Sequence, residues 1–302
     1  MDMRKLKVIM IDAFKPSYLE HAPFLRSLTE QYRWGELNMG FGHWRGVEVL
    51  FKGESEVIAN FYHDGRGSLT YLKYFQWLGY FGKLGRFCID VLFNFPRWMR
   101  RYELLRTGNI PLNRLWTFDV AVKQHIARQK CEFFYFGALD ELGHQYGTKS
   151  KEIISAIQAI DKKISTMNFD FIFSDHGMID ITKKVSVPWI GDCFIDSDMA
   201  RYWGSKKELA EIHKKLPLAD GRIVKWNALY GELIFLAKTG VLIYPNFWNK
   251  TVVKGMHGYD GKHPDMKAFY ILKKKGKKKN VSAEELHRVL QQYSRESGVE
   301  TF

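Results

Sequence analysis

The sequence has few cysteines and no long apolar run. Its three cysteines, Cys88, Cys131 and Cys193, show no Cys-x-x-Cys spacing, and any disulfide scheme leaves one thiol over. This excludes a framework in which every cysteine is paired and fits a reducing compartment. No stretch approaches the roughly 18 consecutive apolar residues of a membrane-spanning helix. The apolar run before Asp12 is too short for a secretory signal. We therefore expect a cytoplasmic protein, either soluble or peripheral to the membrane.

The sequence also shows no glycine-rich phosphate-binding loop, no internal repeat and no nucleic-acid-binding motif. Positive charge is in excess, with 46 Lys and Arg residues against 33 Asp and Glu residues and a net charge of +13. This excess predicts an anionic partner: a phosphorylated small molecule, a nucleotide, a lipid-linked substrate or the surface of an anionic membrane. Nucleic acid is not favoured, and nothing in the sequence indicates the oligomeric state.

Short apolar runs, most of them ending at or near an acidic residue, predict buried strands. They cover residues 8–11, 133–136, 169–173 and 268–272. Helical spacing of apolar residues predicts helices over residues 17–31, 118–129 and 151–167. A chain of 302 residues with 46% hydrophobic content can bury one large core, so we expect a single α/β domain over residues 1–302. The alternation of strands and helices predicts a doubly wound, mostly parallel sheet with helices on both faces, whose ligands bind at the carboxyl ends of the strands.

Side chains that bind divalent metal ions follow three of these predicted strands: Asp12, Asp140, His144, Asp175 and His176. Carboxylates and imidazoles suit zinc or manganese, and two such ions close together can clamp a phosphate group and activate a nucleophile. Gly177, directly after His176, is expected to let the chain turn sharply away from the strand. We therefore expect a metal-binding site where these three predicted strands end.

Four segments resemble, in chain order, the metal motifs of the type I phosphodiesterase and nucleotide pyrophosphatase proteins of the alkaline phosphatase superfamily. These segments are IDAFKP (residues 11–16), LDELGHQYG (139–147), FSDHGM (173–178) and KGMHGYD (254–260). The resemblance runs from about residue 7 to residue 272 and implies an alkaline phosphatase-like fold with two divalent ions, zinc first and manganese second. It implies that one metal is held by Asp140, His144 and His257, and the other by Asp12, Asp175 and His176.

One departure from the family concerns the nucleophile. In these proteins a Thr or Ser at a helix N-terminus attacks phosphorus, but the corresponding residues 40–53 contain no Ser, Thr or Cys, and the matching position is His43. Three roles stay open for His43: a nucleophile that forms a phosphohistidine, a metal ligand or general base that activates water, or no role in catalysis. Arg45 is either placed to bind a phosphate oxygen or an ordinary surface arginine.

Two insertions are expected in the domain. Residues 55–117 are rich in aromatic and basic side chains and predict a helical cap. These aromatic side chains either form the core of the cap, contact a nucleobase and phosphates, or lie at a membrane interface. Residues 186–254 form a second expected insertion near the active site.

Together these patterns predict a metal-dependent hydrolase of phosphodiester or pyrophosphate bonds, with phosphomonoesters as a further substrate class. His43 takes the place of the usual Thr or Ser. Two alternatives stay open: a catalytically retired protein that still binds metal or ligand, and a transferase that passes a phospho group to a sugar or lipid acceptor.

Overall fold

The computed structural model describes residues 4–40, 49–51, 53, 131–225, 231–246, 249 and 251–300. The chain divides into two compact units. The first comprises Met1–Ser55, Lys123–Asp180 and Lys254–Phe302, and the second comprises Glu56–Val122 and Ile181–Val253. The predicted cap over residues 55–117 and the predicted helix over residues 118–129 lie outside the described residues, so both stay predictions.

The elements of the described residues follow in chain order. The strands are β1 (Arg4–Ile11), β2 (Arg33–Asn38), β3 (Cys131–Phe136), β4 (Phe171–Phe173), β5 (Ile179–Asp180), β6 (Lys183–Val185), β7 (Asp192–Ile195), β8 (Met199–Trp203), β9 (Gly221–Val224), β10 (Leu233–Ala237), β11 (Val241–Ile243), β12 (Gly255–Met256), β13 (Ala268–Leu272), β14 (Val281–Ser282) and β15 (Val299–Glu300). The α-helices are α1 (Pro23–Gln31), α2 (Ala138–Tyr146), α3 (Lys151–Ile164), α4 (Lys206–Lys215) and α5 (Ala283–Ser297). Short 3-10 helices span Pro16–His21, Leu218–Asp220 and Pro264–Met266.

The first unit is built on a sheet with the strand order β14-β2-β13-β4-β1, and both β15 and β3 also pair with β1. β1 runs parallel to β3, β4 and β15. Only β13, among the described strands of this sheet, runs antiparallel to its neighbours, β2 and β4. The prediction of a mostly parallel α/β sheet is therefore confirmed, and each predicted apolar run overlaps a strand of this sheet.

Side chains of each central strand alternate between two cores, one on each face of the sheet. Val8 and Met10 of β1 pack in the core that includes Leu286 of α5. Ile9 lies in the opposite core with Ile157 of α3. Because helices cover both faces, these strands contain nearly continuous apolar residues. Polar side chains can therefore gather only where the strands end.

The predicted helix over residues 17–31 is wrong in its extent. A 3-10 helix spans Pro16–His21, and the α-helix begins at Pro23. Pro23 has no backbone N–H to continue a preceding helix, but its fixed φ suits the first position of a new one. The predicted helix over residues 151–167 is observed from Lys151 and ends earlier, at Ile164. The sequence analysis did not predict α4 or α5, although each begins with a Ser-x-x-Glu capping box.

The second unit contains an antiparallel sheet with the order β7-β8-β10-β9 and a separate parallel pair, β6 and β11. The β7–β8 hairpin lies within the predicted insertion over residues 186–254. Arg201 of β8 is fully buried, and its guanidinium carbon lies 5.0 Å from the centroid of the Phe194 ring. In the part of the chain that the structure describes, no helix is both long and apolar enough to cross a bilayer.

Replacement of Asp161 tests how α1 is attached to α3. The buried Asp161 carboxylate accepts hydrogen bonds from the backbone N–H groups of Phe24 (2.9 Å) and Leu25 (2.8 Å), in the first turn of α1. No side chain of α1 itself caps this end. We expect Asp161→Ala to lower the free energy of unfolding by about 1–2 kcal/mol, measured by urea denaturation. Gln158→Ala, an exposed truncation in the same helix, is the control and should change it by less than about 0.5 kcal/mol.

Acid stability tests the ion pair between Arg4 and Asp170, whose two contacts are 2.6 and 2.7 Å long. Burial opposes ionisation of Asp170, but hydrogen bonds from Arg4 and the Lys7 backbone N–H outweigh it and lower the pKa of Asp170. A carboxyl group with a lowered folded-state pKa stabilises the fold above its unfolded pKa, near pH 4, and loses that contribution as the pH falls further. Asp170→Asn should therefore reduce the fall in melting temperature between about pH 5 and pH 2. An unchanged pH dependence would contradict this assignment.

Candidate metal centre

Asp12 lies at the carboxyl end of β1 and is buried. Its Oδ1 atom is 3.3 Å from Nε2 of His176, and its Oδ2 atom accepts a hydrogen bond from the Tyr135 hydroxyl. The next residue, Ala13, has a φ of 57°, in the left-handed region. Its backbone N–H donates to Oδ1 of Asp175 at 3.4 Å. A non-glycine residue held in this conformation is typical of a backbone fixed by a functional site.

Asp175 and His176 follow β4, the parallel neighbour of β1. Oδ2 of Asp175 lies 3.4 Å from Nε2 of His176. Nδ1 of His176 lies 3.0 Å from the Gly177 carbonyl oxygen, so Nδ1 carries the proton and Nε2 faces the carboxylates. Ligand atoms of Asp12, Asp175 and His176 all lie within 4.8 Å of one another. We call these three residues the Asp12 cluster.

A second group, the Asp140 cluster, consists of Asp140, His144 and His257. Asp140 and His144 are one turn apart on α2 and therefore share a face of the helix. Oδ1 of Asp140 lies 3.4 Å from Nε2 of His144 and 3.3 Å from Nε2 of His257. Nδ1 of His144 lies 2.8 Å from the Gly255 carbonyl oxygen, which again directs Nε2 toward the carboxylate. Ligand atoms of this cluster also lie within 4.8 Å of one another.

The two clusters adjoin through their imidazole rings. The rings of His176 and His257 are stacked, with centroids 3.7 Å apart and an angle of 7° between their planes. Six side chains from four separate segments of the first unit therefore converge, as three carboxylates and three imidazoles. This donor set fits two divalent ions, because imidazole nitrogen and carboxylate oxygen are the ligands that zinc and manganese bind.

Burial and neighbouring groups shift the pKa values of Asp140 and Tyr135 in opposite directions. Burial opposes ionisation of Asp140, but His144 and His257 outweigh it and hold the pKa of Asp140 well below its usual range. Burial raises the pKa of Tyr135 well above its usual range, and the charges of Asp12, Asp175 and Asp140 raise it further. The Tyr135 hydroxyl therefore stays protonated and serves as a donor.

Gly177 has a different role from the expected one. Its φ is not in the left-handed region, so the chain does not need glycine there for a sharp turn. A Cβ atom at this position would lie 2.1 Å from the Asp265 carbonyl oxygen. Glycine is needed because two backbones approach closely. Asp265 also pairs with the buried Lys15, whose Nζ is 2.7 Å from its Oδ1 atom. This ion pair links the loop after Asp12 to the turn that packs against Gly177.

His43 and Arg45 lie outside the described residues, so their roles stay predictions. The six predicted ligands are all described, and all belong to the two clusters. The sequence analysis missed Tyr135 and the Lys15–Asp265 pair as parts of the site. The only signal for Tyr135 was a hydroxyl group within an otherwise apolar run.

Comparisons with known proteins agree with this architecture. A family model described as type I phosphodiesterase / nucleotide pyrophosphatase matches residues 96–223. Murine ectonucleotide pyrophosphatase / phosphodiesterase 5, an inactive form in complex with AMP, superposes with a TM-score of 0.64 at 16% identity, covering 96% of this chain and 94% of that chain. Human ectonucleotide pyrophosphatase / phosphodiesterase 5 gives a TM-score of 0.64 at 15% identity, covering 99% and 96%.

A second murine structure of that protein gives a TM-score of 0.63 at 15% identity, covering 97% of this chain and 95% of the other. The resemblance to type I phosphodiesterases and nucleotide pyrophosphatases is thus confirmed, and the fold is alkaline phosphatase-like. Structural matches at identities this low establish the fold alone. The chemistry must be argued from the residues of this chain.

Replacement of Gly177 tests the close approach beside the Asp12 cluster. Gly177→Ala places a methyl group against the Asp265 carbonyl, so we expect a loss of about 1–3 kcal/mol of unfolding free energy. The displaced backbone next to His176 should also reduce any rise in melting temperature on addition of zinc. Gly276→Ala is the control and should leave both quantities nearly unchanged, because this glycine is exposed and the nearest atoms to its added Cβ belong to the Arg33 side chain. Equal effects of the two substitutions would contradict the packing argument.

Proposed function

From an alkaline phosphatase-like fold of the phosphodiesterase type, we propose that this chain is a metal-dependent phosphohydrolase. It cleaves a phosphodiester or pyrophosphate bond through a two-metal site, and phosphomonoesters are a further substrate class. One observation carries the proposal: two clusters of three metal-binding side chains adjoin each other in one compact unit. Two divalent ions held by these clusters would bind the non-bridging oxygens of a phosphate group and would neutralise charge that develops during its transfer.

The proposed role of the protein is to hold the two positively charged ions in fixed positions. Asp140, His144 and His257 would bind one ion, and the Asp12 cluster would bind the other. The carbonyl groups of Gly177 and Gly255 fix the tautomers of His176 and His144. Each imidazole would then present Nε2 to the ion without a rotation of its ring.

His43 is the proposed replacement for the usual hydroxyl nucleophile, since residues 40–53 contain no Ser, Thr or Cys. A neutral imidazole can attack phosphorus directly or take a proton from an attacking water molecule. Arg45 is proposed to bind a phosphate oxygen through its forked guanidinium group. Both assignments rest on sequence position, two residues apart and shortly before a helical turn at residues 49–51.

A nucleotide is the proposed first substrate class. One of the similar solved structures contains AMP, and the net charge of +13 favours an anionic ligand. Zinc is the proposed first metal and manganese the second, because half of the donors in the two clusters are imidazoles. A lipid-linked substrate and peripheral contact with an anionic membrane stay open as extensions of this proposal.

Metal stoichiometry and activity together test the proposal. Chelated protein reloaded with zinc should bind two ions per chain and hydrolyse bis-p-nitrophenyl phosphate. His257→Ala should lose one ion and reduce activity at least about 100-fold, because the Asp140 cluster keeps only two donors. His213→Ala, an exposed histidine of the second unit, is the matched control and should retain two ions and full activity.

Two results would overturn the proposal in different ways. A chain that binds two ions but turns over neither bis-p-nitrophenyl phosphate, p-nitrophenyl phosphate nor a nucleotide sugar is a retired, metal-binding protein. A chain that releases product only when an alcohol acceptor is added is a transferase.

The role of His43 has its own test. We expect His43→Ala to reduce turnover about 100-fold or more while both ions stay bound, since general-base or nucleophilic catalysis contributes a factor of at least this size. Intact turnover in the variant would show that His43 takes no part in the reaction.

A further inference from the structure

Tyr135 and Asp12 meet at the carboxyl ends of two neighbouring parallel strands. The strands pair in register, with Met10 opposite Tyr135, and the backbone N–H of Asp12 donates to the Phe136 carbonyl at 2.9 Å. Side chains of a strand alternate between faces, so Tyr135 and Asp12 emerge on the same face of the sheet. The Tyr135 hydroxyl donates there to Oδ2 of Asp12.

The two oxygens of Asp12 consequently have different surroundings. Oδ2 is bound by Tyr135, whereas Oδ1 lies 3.3 Å from Nε2 of His176 and so faces the rest of the Asp12 cluster. A carboxylate in this arrangement cannot rotate without breaking the hydrogen bond to the phenol. Its Oδ1 atom is therefore held toward the cluster before any ion arrives.

The backbone beside Tyr135 leaves space for this position of its ring. A Cβ atom at Gly137 would lie 2.6 Å from Cε1 and 2.7 Å from the hydroxyl oxygen of Tyr135. The phenol thus packs against the backbone of Gly137, and its hydroxyl group can reach Asp12 only because residue 137 has no side chain.

Two other buried tyrosines of the first unit, Tyr18 and Tyr270, make hydrogen bonds of a different kind. Tyr18 donates to the Thr148 carbonyl at 3.1 Å, and Tyr270 donates to the Lys279 carbonyl at 2.7 Å. These bonds connect segments of backbone. Tyr135 instead donates to a carboxylate of the candidate metal centre, and this contact sets it apart from them.

We propose that Tyr135 is a positioning residue for the metal ion of the Asp12 cluster: its hydroxyl makes Asp12 a ligand through Oδ1 alone. This inference rests on the proposed two-metal function and adds to it a residue that binds no metal itself. The effect of Tyr135 should fall on one of the two ions. Among the described residues, its side-chain hydrogen bond goes to Asp12 and not to a side chain of the Asp140 cluster.

Zinc binding to Tyr135→Phe tests the inference without measuring activity. Chelated protein is titrated with zinc in competition with a chromophoric chelator, and the two binding steps are resolved. We expect the variant to weaken one step by about 10–100-fold, the usual effect of losing a hydrogen bond to a metal ligand, and to leave the other unchanged. The weakened step should be the one that disappears in Asp12→Ala.

Tyr270→Phe is the matched control, since it also removes a hydroxyl from a buried tyrosine on the same sheet. It should leave both zinc steps unchanged. Urea denaturation of the metal-free proteins shows whether Tyr135→Phe has damaged the fold itself.

Each outcome bears on a different claim. Unchanged zinc affinities in Tyr135→Phe would overturn this inference alone, and so would an equal loss at both steps, which indicates a general structural role. A wild-type chain that binds no zinc would overturn the proposed function and, with it, the inference.

Discussion

The structure of the site depends on the burial of carboxylates close together, since ligand atoms of Asp12 and Asp175 lie within 4.8 Å of one another in one cluster and Asp140 lies in the adjoining one. Asp12 and Asp175 are buried, and the Oδ1 atom of Asp140 is buried as well. Like charges placed so close together repel each other and lose the solvation that water provides. Three imidazoles lie among them, at 3.3–3.4 Å from the carboxylate oxygens. Bound cations would offset this cost. Each cluster accordingly gathers three potential ligand atoms within 4.8 Å of one another.

The fold brings these ligand atoms together through its sheet. β1 and β4 are parallel neighbours, so Asp12 and Asp175, which follow them, emerge at the same edge. β3 is also a parallel neighbour of β1, and it leads into α2, which carries Asp140 and His144. Close backbone packing at Gly177 and the buried Lys15–Asp265 pair hold the connecting loops against each other. Long-range packing thus helps to position the ligands.

Much of the fold could be predicted because both faces of the sheet are covered. Strands buried on both sides appear in the sequence as apolar runs, and the run over Ala268–Leu272 coincides with β13. The six candidate ligands could be named from the resemblance of four short motifs, and the structure places all six in two clusters. The assignment of each cluster to one metal ion stays a prediction, as do the roles of His43 and Arg45.

Other features depended on contacts that no local pattern contains. Residue 177 must be glycine because the carbonyl group of Asp265, which is distant in the sequence, packs against it. The sequence around Gly177 does not contain this contact, so the residue resembled an ordinary turn glycine. Tyr135 resembled a core aromatic residue because its partner, Asp12, follows a different strand, β1. The break before α1 could have been predicted from Pro23, whereas apolar spacing alone favoured one continuous helix.

Anomalous scattering from a zinc-soaked crystal tests the central claim most directly. Data collected above and below the zinc absorption edge locate every bound ion without reference to activity. The account predicts two peaks about 4 Å apart, one among Asp140, His144 and His257 and the other among Asp12, Asp175 and His176. A single peak, or zinc bound elsewhere with both clusters empty, would contradict it.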